Sequence, residues 1–157
     1  MMKLRTLALL LIACAGMEAQ CVAGGLAVVV PKSSPTDGLS MAQLRKLVMG
    51  DVHTWPDKSK VTLVAADPDG AVFKCLITAV VRMSTPEYRK YLMNADFRGD
   101  EPLRLKPVDT SASAVRLVAA SAGSFSVVEA NAVSASSAVK VLAINGKHPG
   151  EAGYPLE

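Results

Sequence analysis

Apolar residues run along this chain in short blocks whose period switches between two and 3.6, which predicts strands separated by helices. Residues 26–30 (LAVVV) are β-branched and bounded by Pro31, so they read as a buried strand. A Ser/Pro/Gly-rich loop follows at 32–38. Ser40-Met41-Ala42-Gln43 has capping-box spacing, and Met41, Leu44, Leu47 and Val48 then share one helical face up to Gly50, a natural C-terminal stop. Residues 51–60 form a loop around the only tryptophan, Trp55. Residues 61–65 (VTLVA) predict a second strand, and Asp67-Pro68-Asp69-Gly70 a turn in which Asp69 caps the next helix. That helix carries Phe73, Leu76, Ile77 and Val80 at i, i+3, i+4 and i+7. Ser84-Thr85-Pro86-Glu87 opens another, with proline in its first turn and Tyr88, Tyr91 and Leu92 on its apolar side.

Residues 97–109 read as irregular, because Gly99, Pro102 and Pro107 interrupt them. Thr110 or Ser111 caps a small helix through Ala120, ended by Gly123. Residues 124–128 (SFSVV) and 139–144 (VKVLAI) predict two further strands, with a turn at Asn145-Gly146. The small-residue stretch between them, 130–138, is compatible with a loop or a short helix. Strands alternating with helices imply an α/β domain whose sheet is largely parallel or mixed and covered on both faces.

The first 23 residues follow a different pattern. Lys3 and Arg5 precede an unbroken apolar run at 7–15 (LALLLIACA) that has no polar face. About nine residues fall far short of the roughly twenty needed to span a bilayer, so the segment reads as a secretory signal rather than a membrane or core helix. Leu11-Ile12-Ala13-Cys14 resembles a lipobox, in which Cys14 becomes the acylated first residue of the mature protein. Ala13-Cys14-Ala15 and Cys21-Val22-Ala23 equally offer the small residues that ordinary signal peptidase prefers. A lipid-anchored form and a soluble periplasmic form both stay open. Residues 1–23 are then signal and tether, residues 24–157 the folded domain, and any membrane contact comes through an anchor at Cys14.

Composition narrows the function classes. Half of the chain is apolar and a fifth charged, as in ordinary globular domains. The net charge is only +3, Lys and Arg are scattered, and aromatics make up 4%, so there is no basic stacking face for nucleic acid. The three cysteines form no CxxC and no Cys/His spacing for a metal. Cys75 falls in an apolar helical stretch and reads as a buried thiol rather than a disulfide partner of Cys21. His53 and His148 lie in loops with no carboxylate, Cys or second His at triad or ligand spacing. No P-loop, G-x-S-x-G or G-x-G-x-x-G occurs. These features argue for no catalytic residues, no cofactor and no enzyme.

One binding feature remains. A strand that leads through a short loop into a helix N-terminus directs free backbone N–H groups and the helix dipole at one point. Residues 67–71 occupy such a place, making the N–H groups of Gly70 and Ala71 candidate ligand-binding donors. Asp67 and Asp69 in the same loop would repel an oxyanion.

The order of elements resembles the phosphate-type periplasmic substrate-binding proteins of ABC transporters, above all their short, single-lobe members. The resemblance rests on residues 26–64, with Leu39-Ser40, Leu44, Gly50, Trp55 and Asp57 at the positions of a strand, loop, "LS..qL...F.G" helix and Trp-x-Asp pattern. SFSVVEA at 124–130 and VKVLAINGKHPGEAGYPL at 139–156 also match. It implies one lobe of a type-2 periplasmic-binding-protein-like fold, a mixed sheet flanked by helices. It further implies an oxyanion ligand such as phosphate and an envelope or transporter protein as partner. In that family an Arg and a Ser-Gly-Thr run hold phosphate between two lobes. Here the equivalent stretch is Ala66 followed by Asp67-Pro68-Asp69-Gly70-Ala71, which lacks both, and a second lobe is missing. The resemblance therefore implies a degenerate anion site, or an envelope interaction module on the same fold that binds no solute.

Overall fold

The computed structural model describes residues 24–133 and 138–157; the leader, Cys14, Cys21 and the cleavage motifs lie outside the described residues. Strand β1 (Leu26–Pro31) is followed by the short β2 (Gly38–Leu39), helix α1 (Met41–Met49) and β3 (Thr62–Ala66). Helix α2 (Ala71–Leu76) widens into one π-helical turn over Ile77–Val81, and α3 (Thr85–Arg98) follows. The chain continues through β4 (Arg104–Val108), α4 (Ser111–Ala120) and β5 (Ser124–Glu129). A 3₁₀ turn (Ala130–Ala132) then leads to β6 (Val139–Val141) and β7 (Ala143–Ile144).

The main sheet has the order β4-β3-β5-β1-β6. Strands β4, β3 and β5 run parallel, whereas β1 is antiparallel to both β5 and β6, so the sheet is mixed. Alternation along each strand divides the core in two. Leu26, Val28 and Val30 of β1, Leu63 and Ala65 of β3, and Phe125 and Val127 of β5 face α1 and α2. Ala27, Val29, Val64, Ala66 and Val128 face α4. A strand with both faces covered has no polar side to show, which is why LAVVV carries no alternation.

Local chemistry marks the helix ends as the sequence predicts. Ser40 and Gln43 close the capping box of α1, and Gly50 ends it in the left-handed conformation; Ser84 and Glu87 do the same at the start of α3. Elsewhere the structure departs from the expectation. Residues 104–108 are strand, paired along their length with β3. Pro107 is tolerated because β4 is an edge strand with one side outside the ladder. Helix α4 ends at Ala120 as expected, but its cap is Ser121 rather than Gly123. Residues 139–144 split at Leu142, sending β7 to pair with β2 in a separate two-stranded sheet.

Two tyrosines tie helix and tail to the core. The Tyr88 hydroxyl donates to the Val48 carbonyl, joining α3 to α1, and that of Tyr154 donates to the Leu26 carbonyl at 2.7 Å. Leu26 N–H in turn donates to the Leu156 carbonyl, so residues 154–156 clasp the start of β1. Burial pushes both hydroxyls above the usual tyrosine range, with Tyr91 adding to the shift at Tyr88 and Glu157 at Tyr154. An unfolded tyrosine ionises from about pH 10 while these stay protonated in the folded chain, so the unfolded state then binds fewer protons. Stability is therefore complete below about pH 10 and declines as pH rises above it. Urea midpoints from about pH 8 to about pH 11 should fall for the wild type, and fall less for the Tyr88→Phe/Tyr154→Phe double variant.

Candidate functional site

Parallel strands end together, and helices that follow them begin together. At the C-terminal ends of β3, β4 and β5 this places the starts of α2 and α4 around one crevice of about 330 Å³. Ala66 and Asp67 enter from β3, Ala71 and Val72 from the first turn of α2, and Glu129 from the end of β5. Asp109 and Thr110 come from the link between β4 and α4, and Ser111 from the first turn of α4.

Ala71, one of the two donors expected from the sequence, lines the crevice. The Gly70 N–H does not stand open: it donates to the Asp67 carbonyl at 2.8 Å, closing the turn. Asp67 is left-handed, with φ of 42°, and a Cβ on Gly70 would fall 2.2 Å from its Oδ2. A side chain at Gly70 would require the exposed Asp67 carboxylate to swing aside. Gly70 also serves as N-cap of α2, without a side-chain bond, so Asp69 does not cap the helix. Asp69 instead meets Arg89 of α3 at 2.5 Å, and that guanidinium holds its carboxyl below the usual range. Both partners are largely exposed, so the pair contributes little to stability.

Helix α4 supplies the second N-terminus. Thr110 caps it, its Oγ1 accepting the Ser113 N–H at 3.1 Å. Three carboxylates, Asp67, Asp109 and Glu129, line the crevice, and no Lys, Arg or His lines it. Two helix dipoles thus favour an anion there while three side chains oppose one. Of this rim the sequence pointed only to residues 67–71. Asp109 escaped because β4, which carries the chain to it, does not look like a strand; Thr110 reads only as a helix cap, and Glu129 joins the rim only because β5 lies beside β3.

The histidines take no part. His148 lies at Glu151 in an exposed turn, and the His53 carbonyl accepts the Val61 N–H in the loop before β3. Among the described residues no group of three or more His, Cys, Asp or Glu could hold a metal ion.

No family model and no curated protein matches the sequence. Solved structures do match the fold. An ABC-type phosphate transport receptor from Vibrio cholerae superposes with a TM-score of 0.63 at 16% identity, covering 80% of this chain and 48% of that one. A phosphate ABC transporter substrate-binding protein from Clostridium perfringens, solved with phosphate bound, gives 0.63 at 13% identity, covering 80% and 46%. PstS from Borrelia burgdorferi gives 0.62 at 11%, covering 80% and 49%. These matches establish a substrate-binding-protein-like α/β fold, in a chain that spans about half the length of the proteins it resembles.

Proposed function

We propose that this chain is an exported, solute-binding-type lobe related to the phosphate-binding proteins, and that its crevice is a weakened oxyanion site. The observation that carries the reading is the crevice itself, where two helix N-termini converge at the C-terminal strand ends of a fold shared with proteins that bind phosphate. The backbone near Ala71 is the contact we assign to a ligand, with Gly70 setting the turn. The leader with Lys3, Arg5 and the apolar run at 7–15 supports export, with Cys14 as the lipid-anchor position. No helix among the described residues is long and apolar enough to cross a membrane. The role is that of a binding protein rather than an enzyme, and its protein partner is an envelope or transporter component.

A second reading, an envelope interaction module that binds no solute, is favoured by one observation: Asp67, Asp109 and Glu129 ring the place where an oxyanion would sit. Charge removal separates the two. Even with water-like screening, a carboxylate about 4 Å from an anion opposes it by about 1 kcal/mol. Calorimetry at low ionic strength should find wild-type phosphate binding no tighter than about millimolar. The Asp67→Asn/Asp109→Asn/Glu129→Gln variant should bind at least about tenfold tighter, and added salt should shrink the gain. A folded triple variant that still takes up no phosphate or sulfate would sink the solute reading and leave the interaction module.

A further inference from the structure

The molecule has a second concavity, at the other end of the sheet. Pro35, Leu39, Leu47, Val52, Trp55 and Pro56 give this open groove apolar walls, with Thr36, Gln43 and Thr54 among them, and its volume is about 560 Å³. That size and lining suit a small molecule, whose sites span roughly 300–1,000 Å³. It shares no residue with the acidic crevice. Trp55 is held at the start of β5 by its indole N–H donating to the Gly123 carbonyl at 2.8 Å, whereas Glu129 ends that strand. The two sites are therefore about a strand length apart, roughly 20 Å.

The charges at the rim discriminate between ligands. Asp37 is matched, its carboxylate receiving Lys140 Nζ at 2.7 Å, and the same ammonium donates to the Ser34 carbonyl. Lys46, exposed on the last turn of α1, has no ion-pair partner among the described residues. The unmatched charge beside the apolar wall is positive. The Trp55 donor is already engaged and the ring is only 8% exposed, so it shows the groove a narrow apolar surface and no hydrogen bond.

We propose that this groove binds a small amphiphilic carboxylate, of the size of a medium-chain fatty acid. Its alkyl body lies against Leu39, Leu47 and Trp55, and its carboxylate meets the Lys46 ammonium. The assignment does not rest on the crevice. Phosphate has no apolar body to bury here, and an alkyl chain gains nothing from an acidic rim.

Octanoate is a suitable probe, and Trp55 is the built-in reporter because no other tryptophan contributes emission. Octanoate should shift Trp55 fluorescence saturably, with calorimetry giving the same Kd, at about millimolar or tighter. Lys46→Glu should weaken octanoate at least tenfold, Lys46→Arg should hold it within about twofold, and 1-octanol should bind less tightly than octanoate. Lys46 is exposed, so neither variant threatens the fold. The Asp67→Asn/Asp109→Asn/Glu129→Gln variant should leave the octanoate Kd unchanged. No saturable binding by either method, or an octanoate Kd that is indifferent to Lys46→Glu, would overturn the proposal.

Discussion

Phe125→Ala is expected to remove about 4 kcal/mol of folding stability, the upper part of the range for truncating a buried aromatic. The chain has only seven aromatic residues, three of them phenylalanine, so few side chains can fill the core between sheet and helices. Phe125 is fully buried on β5, paired across the ladder with Leu63 of β3. Its ring meets Trp55 edge-on, with centroids 6.1 Å apart and planes at 87°. Truncation would leave a cavity bounded by strands on both sides, where the backbone cannot collapse to refill it. Domains of this size hold about 5–15 kcal/mol in all, so the variant should be folded only marginally. Urea denaturation would show a large drop in midpoint with the slope m preserved. A loss below about 1.5 kcal/mol would mean that the site relaxes and that the core is not centred on this ring.

Gly123→Ala should be nearly as damaging for a different reason. Gly123 sits at φ of 77°, and a Cβ there would lie 2.3 Å from the Lys60 carbonyl oxygen, a backbone atom that cannot swing aside. Its own carbonyl accepts two hydrogen bonds, from the Trp55 indole and from the Thr62 N–H. Any shift that relieves the clash therefore disturbs the docking of Trp55 and the first residue of β3 together. Left-handed strain alone costs about 1–2 kcal/mol, and the clash should bring the total to about 3 kcal/mol or more. Gly99 provides the control, since its φ is 76° and nothing lies within 4 Å of its would-be Cβ. Gly99→Ala should cost only the conformational part, about 1 kcal/mol. Equal losses at the two positions in thermal or urea unfolding would show that the contact with Lys60 is unimportant.

The same corner shows why parts of the fold are legible in the residues and others are not. Strands β1, β3 and β5 are buried on both faces, and short apolar runs announce them, most plainly the LAVVV of β1. The starts of α1 and α3 are legible because a capping box is a local transaction among four residues. Strand β4 (RLKPV) has the opposite character. It is exposed, charged and contains proline, and its strand state comes from pairing with β3 rather than from its own preferences. Cutting VKVLAI at Leu142 likewise depends on two different partners, β1 and β2, competing for one run of residues.

The candidate site divides along the same line. Residues 67–71 follow a strand and precede a helix, so their position at a helix N-terminus is readable. That Gly70 spends its N–H on the turn, and that Asp69 turns to Arg89 instead of capping α2, depends on a left-handed Asp67 and on α3, which begins only at Thr85.

By itself the sequence determined the class of the domain, the burial of its central strands, the starts of α1, α3 and α4, and the position of an acid-bearing loop at a helix N-terminus. All of these follow from contacts within a few residues or from the burial that hydrophobic runs require. The tertiary structure alone decided that β4 exists, that Asp109 and Glu129 join Asp67 around one crevice, and that Lys46 borders an apolar groove beside Trp55. The first two depend on which strands lie side by side, because residues about forty to sixty apart meet only once long-range pairing has chosen their neighbours.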